Sequence, residues 1–146
     1  MTSITGFSSV NYEAGEAVGV DSNHIWQLTA TAAITKGTFV AIAAGGTAAP
    51  QGATVASLVG IALADIASGS EGPVLVEGIG TVIADATGVS IGAFVKPDAS
   101  GHASAAAYGD EGVVGIACNA SGAGGAAVIR LMHATHLAQA APQESA

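Results

Sequence analysis

The sequence predicts an all-β fold, a small β-barrel or sandwich built from two pseudo-repeated β units and preceded by an extended N-terminal arm. Three observations lead there. Val59-Gly60-Ile61-Ala62 returns as Val114-Gly115-Ile116-Ala117, and Gly37-Thr38-Phe39-Val40 returns as Gly92-Ala93-Phe94-Val95, both at an offset of 55 residues (114 − 59 and 92 − 37). Phe39 and Phe94 are two of only 3 phenylalanines, so alanine and glycine bias does not explain a register shared by both anchors. His24-Ile25-Trp26-Gln27-Leu28-Thr29 alternates apolar with polar residues, the period of a half-buried strand. Finally, 21 glycines and the lack of a capped amphipathic run longer than two turns leave no strong helix signal.

The elements follow in order. Residues 1–23 are polar and glycine-punctuated, with Phe7, Val10 and Tyr12 the sizeable apolar side chains, and read as an extended arm holding at most one short strand. The body, residues 24–133, opens on the His24–Thr29 strand. Ile34-Thr35-Lys36-Gly37 turns the chain into Thr38–Ile42, Ala43–Gly52 is expected as a flexible loop, and Thr54–Asp65 resumes as strand. Ser68–Pro73 reads as a hairpin connection, because glycine supplies positive φ and proline removes a ladder donor, and Val74–Glu77 is its return strand. The second copy repeats the layout: Thr81–Asp85, a turn at Ala86-Thr87-Gly88, Ala93–Lys96, a polar loop over Pro97–Gly109, Gly112–Cys118, a glycine-rich hairpin at Asn119–Gly125 and a closing strand at Ala126–Met132. The two units are thus placed at about 34–75 and 89–130, related by a pseudo-two-fold, with Gly37, Phe39, Gly60, Gly92, Phe94 and Gly115 as their structural positions and Phe39 and Phe94 expected in equivalent buried positions, giving about eight to ten short strands. Residues 134–146 are expected as a flexible tail, with Met132–Ala140 a marginal helix at most.

Composition narrows the function. With 146 residues the chain is one domain, and its 50% hydrophobic content is largely alanine, which buries little area, so the core is thin. Only 10% of residues are charged, which leaves apolar surface for a neighbouring subunit to cover. The net charge of −8, with Lys36, Lys96 and Arg130 the only basic side chains besides histidine, disfavours nucleic acid. The longest uncharged stretches, Thr47–Ala64 and Gly112–Ile129, are broken by Pro50 or by five glycines, so no membrane helix is expected. Cys118 has no disulfide partner and no basic-led apolar leader is visible, which points to synthesis in a cytoplasm-like compartment.

Each motif that could carry chemistry has a plainer reading. Gly88-Val89-Ser90-Ile91-Gly92 matches the G-x-S-x-G nucleophile elbow, but a strand-like segment stopped by Pro97 follows it instead of a helix. Gly122-Ala123-Gly124-Gly125-Ala126-Ala127 lacks the βαβ unit and downstream acid of a dinucleotide site. His133 and His136 would need His24, His102 or Cys118 to complete a metal site, and no loop sets Asp65, Asp85, Asp98, Asp110 or Glu111 at calcium-ligand spacing. No catalytic, cofactor or metal residues are expected. Trp26 is expected to pack against the barrel rather than to anchor an interface. Lys36 and Lys96 sit at no recognisable carrier-modification hairpin.

Ala32–Val40, Val59–Asp65 with Glu77-Gly78, Ile91–Val95 and Val114–Ala117 together resemble the capsid decoration (cement) proteins of tailed bacteriophages, over roughly Leu28 to Leu131. The resemblance implies a β-rich protein made in the host cytoplasm that binds the major capsid protein on the outer surface of the virion head. There it locks neighbouring capsomers, most often as a homotrimer. The arm, through Phe7, Val10 and Tyr12, is then the expected capsid or subunit contact. The alternative is a non-catalytic head appendage that binds host-surface carbohydrate, for which two tyrosines and one tryptophan make a poor aromatic platform.

Overall fold

The computed structural model describes residues 14–18, 24–107 and 109–132, among which there are eleven strands and no helix. The strands are β1 (Ala17–Val18), β2 (His24–Ala30), β3 (Phe39–Ala43), β4 (Thr47–Pro50), β5 (Leu58–Ala62), β6 (Glu71–Glu77), β7 (Ile79–Ile83), β8 (Phe94–Pro97), β9 (Ala103–Ala106), β10 (Gly115–Ala117) and β11 (Ala126–Leu131). In one set, β2-β4-β3-β5-β6 close into a barrel, sealed by the parallel pairing of β2 with β4 at Thr29 and Ala30. The other is a six-stranded sheet in the order β1-β7-β11-β10-β8-β9, in which Ala84, the residue after β7, meets Ala103 of the end strand β9 through one parallel bridge.

The same ladder is drawn twice. Val40 faces Gly60 and Pro50 as Val95 faces Gly115 and Ala105, and Ala62 faces Val74 as Ala117 faces Ile129. The bridge of Ile34 with Ile66 recurs as Val89 with Ser121. All these pairs keep the 55-residue offset. β2 and β7 are instead 54 apart: Trp26 faces Val74 and Gly80 faces Ile129, while Gln27 faces Pro73 and Thr81 faces Val128. The connection from Ala84 to Val89 carries one residue more than that from Ala30 to Ile34, and the register returns to 55 after it.

Two glycine pairs explain why the repeated motifs need glycine. Gly37 and Gly92 lie at φ of 81° and 83°, a region where a Cβ is strained, and their N–H groups donate to Ala62 O and Ala117 O. Gly60 and Gly115 are extended, but a Cβ on Gly60 would lie 2.6 Å from Val74 Cγ1 and 2.7 Å from Leu75 O, and one on Gly115 would strike Arg130 O and Ile129.

The core is divided between two clusters. Leu28, Ala30, Ile34, Val40, Ile42, Ala48, Ala62, Ile66, Val74 and Val76 fill the closed barrel. The second cluster combines the inner positions of the other sheet, Val82, Val95, Ala103, Ala117 and Ile129 among them, with Phe39, Val59, Ile61 and Leu75 from the barrel strands. Backbone bonds cross the same seam, from Phe39 N to Gly101 O at 2.9 Å and from Ile83 N to Gly37 O at 2.8 Å.

Several expectations need correction. Ala43–Gly52 and Pro97–Gly109 are not simple loops, for β4 and β9 lie within them, each paired to a neighbour by four residues. Pro73 sits inside β6 rather than in a turn. The β5 ladder reaches only Val74 and Leu75, so the missing proline N–H falls beyond its end, while Pro73 O accepts from Leu63 N. Phe39 is fully buried, whereas Phe94, at the same ladder position opposite Ile116, is half-buried. The second sheet packs over Phe39.

Candidate functional site

The groups that chemistry would use are spent on turns. Asp65 Oδ1 accepts from Lys36 N at 2.8 Å, and Asp85 Oδ1 accepts from Thr87 N and Gly88 N, both at 2.9 Å. Asp98 Oδ1 accepts from Ser100 N and His102 N. Asp110 Oδ2 accepts from Ala107 N at 2.9 Å and from Lys96 Nζ at 3.0 Å, and these two bonds hold its carboxyl below the ordinary carboxylate value. Burial pushes the Cys118 thiol up, away from thiolate reactivity. Ser90 is an exposed turn residue whose carbonyl accepts from Ala93 N, and β8 follows it directly. Gly122–Gly125 forms the turn between β10 and β11. Among the described residues no three His, Cys, Asp or Glu side chains converge as a metal site, and no helix is long and apolar enough to cross a membrane.

Surface features are better defined. Part of the segment ahead of the barrel joins the body: Ala17 and Val18 of β1 pair antiparallel with Gly80 and Ile79 of β7. Gly15 N donates to Thr81 O and Thr81 N to Glu16 O, both at 2.8 Å, while the buried Thr81 hydroxyl accepts from Glu16 N at 2.7 Å. Gly15 fits only as glycine, since a Cβ there would meet the Lys36 side chain and lie 2.9 Å from Gly37 N. Residues 15–18 therefore lie along β7 as an added strand, the arrangement by which extended peptides commonly join a sheet.

Among the described residues nothing covers the corresponding stretch of β2 in this way. Ile25 and Trp26 are each 48% exposed, so Trp26 does not pack into the barrel as its strand position suggested. Beside them His24 Nδ1 meets Glu77 Oε1 at 2.6 Å, at a bulge between His24 and Ile25. Leu58 at the start of β5 and Ile91 in the turn before β8 are the other large apolar side chains exposed among the described residues.

Of the residues singled out from sequence, Phe7, Val10 and Tyr12 lie outside the described residues, as do residues 134–146. Gly37 and Gly60 stand at the seam and in the barrel ladder, Gly92 and Gly115 at the matching places of the other sheet, and none of these forms a pocket of polar groups. The β2 edge was missed, because an alternating strand reads alike whether its neighbour belongs to the same chain or not.

Comparison with known proteins gives a family and a fold. The model of the family described as phage cement protein matches residues 29–133. No curated protein matches the sequence. Among solved structures, the chain is similar to the N base of the head fiber gp8.5 in bacteriophage phi29, with a TM-score of 0.59 and 16% sequence identity, covering 75% of this chain and 94% of that one. At that identity the likeness speaks for the fold.

Proposed function

The chain belongs to the phage cement protein family, and from that premise we propose that it binds the outer surface of a tailed-phage head and strengthens contacts between neighbouring capsomers. Decoration of the capsid as a structural protein is the function that family and fold together support, and the observation that carries it is the match over residues 29–133. The described surface supports the same reading, with acidic side chains tied into turns and a body of short, mutually paired strands.

In this reading the partner is the major capsid protein, the protein is made in the host cytoplasm, and it acts without catalysis, metal or cofactor. It assembles as a homo-oligomer, a trimer in the bound state, and the arm at residues 1–23 supplies contacts through Phe7, Val10 and Tyr12. A protein that binds only the intact shell stabilises it by mass action, and joining several copies multiplies weak contacts through effective concentration. The test is the rupture temperature of purified shells with and without saturating protein. A rise is expected; identical rupture temperatures at full occupancy would overturn the cement role.

A further inference from the structure

We propose that the open edge of β2 at Ile25–Gln27 receives, as an added antiparallel strand, the segment at residues 4–12 of a second copy of this chain. This rests on the oligomer proposed above and names its contact. β6 pairs with β2 along one side, whereas β4 reaches it on the other side only at Thr29 and Ala30. Thr29 N–H points away from β6 and donates to Gly46 O at 3.0 Å. Backbone direction alternates along a strand, and the ladder is regular from Ile25 to Thr29, so the N–H and C=O groups of Gln27 and Ile25 project to that same side. No described residue pairs with them there.

The molecule itself shows what fits. Thr81 holds the place in β7 that Gln27 holds in β2, opposite Val128 as Gln27 is opposite Pro73. At Thr81 the edge is filled by Gly15 and Glu16, and Ala17 and Val18 extend the pairing over Gly80 and Ile79. Under that strand Gly80 and Thr81 are buried, while their equivalents in β2, Trp26 and Gln27, are exposed, Trp26 to 48%. Exposed edges are ordinarily blunted by lysine, proline or an inward charge, and Ile25-Trp26-Gln27 has none of these.

The occupant follows from charge and reach. Residues 1–12 carry no charged side chain in a chain of net charge −8, so a neutral strand can bridge two bodies that repel each other. Val10-Asn11-Tyr12 alternates as a strand does. The 13 residues before Ala14 span at most about 45 Å when extended, enough to leave their own body, and Gly15–Val18 are already committed to β7.

The experiment uses the full chain with Cys118→Ser. Two single variants, Val10→Cys and Gln27→Cys, are mixed and treated with a short bis-maleimide, and self-association of uncrosslinked protein is followed by sedimentation. The expected result is a covalent heterodimer, together with a self-association constant weakened by about tenfold or more in Gln27→Pro, in Ile25→Lys and on deletion of residues 1–12. Thermal melting of each variant reports whether the body is intact, and Ile25→Lys retains the test if Gln27→Pro misfolds. Three outcomes overturn the proposal: an intramolecular bridge alone in a third variant that carries both Val10→Cys and Gln27→Cys, which places the arm in cis; unchanged association after arm deletion; or a protein monomeric at every concentration whose edge variants lose only shell binding, which assigns the edge to a strand of the shell subunit. Failure of the cement reading is separate, since shells would then keep their rupture temperature while the oligomer persisted.

Discussion

Replacing Phe39 and Phe94 separately by alanine tests how the two sets of strands are joined. Both side chains open a strand at the same ladder position, opposite Ile61 and Ile116, but Phe39 is fully buried in the cluster it shares with Val82, Val95 and Ala103, whereas Phe94 is half-buried. Truncating a fully buried phenylalanine removes its transfer free energy and leaves a cavity, about 3–5 kcal/mol in all. For Phe94 the cavity opens toward solvent and part of the transfer term was never gained, so a smaller loss of roughly 2–3 kcal/mol is expected. With unfolding entropy near 2.1 cal/mol/K per residue, the body from His24 to Met132 loses about 4.4 °C in Tm per kcal/mol, hence about 13–22 °C for Phe39→Ala and about 9–13 °C for Phe94→Ala. Differential scanning calorimetry measures both, and one cooperative transition is expected in each variant because Phe39 lies in the seam. Equal losses would refute the reasoning, as would a second transition in wild type that Phe39→Ala leaves in place.

Further outcomes are open to direct measurement. Gly60→Ala, whose Cβ would lie 2.7 Å from Leu75 O, should destabilise by about 1–3 kcal/mol in urea unfolding, and Gly92→Ala, with open space around it but φ at 83°, by about 1–2 kcal/mol from backbone strain alone. Thr81→Val removes the hydroxyl that accepts from Glu16 N, so hydrogen exchange at Gly15–Val18 should quicken while the β3–β5 ladder stays protected. Asp110 is held below its ordinary value of 3.8 first by the Ala107 N–H and then by Lys96, so its contribution is present above that pH and lost as pH falls through the lowered value. The wild-type and Asp110→Asn stability curves should accordingly differ at neutral pH and converge in acid. Cys118, raised by burial, should alkylate with iodoacetamide more slowly at pH 8 than after unfolding in urea.

The all-β class, the turn glycines and the 55-residue echo are local properties, and sequence carried them. A positive φ at Gly37 or Gly92 is demanded by one turn, and the spacing from Phe39 to Gly60 recurs from Phe94 to Gly115 whatever surrounds them. What depended on partners was not legible. β4 and β9 are alanine-rich stretches with no alternation, and they become strands because β3 and β8 offer unpaired edges. Pro73 enters β6 because the neighbouring ladder stops one residue short of needing its N–H. The extra residue between Ala84 and Val89, which moves β7 to an offset of 54, is visible in the sequence only once the ladders show which alanines correspond. Sequence placed Phe39 and Phe94 in one register and Trp26 on a strand; the tertiary structure decided that Phe39 is covered, Phe94 half-covered and Trp26 open. Burial is a property of what packs from the other side, and the second sheet lies over β3 while β1 lies over β7 and not over β2.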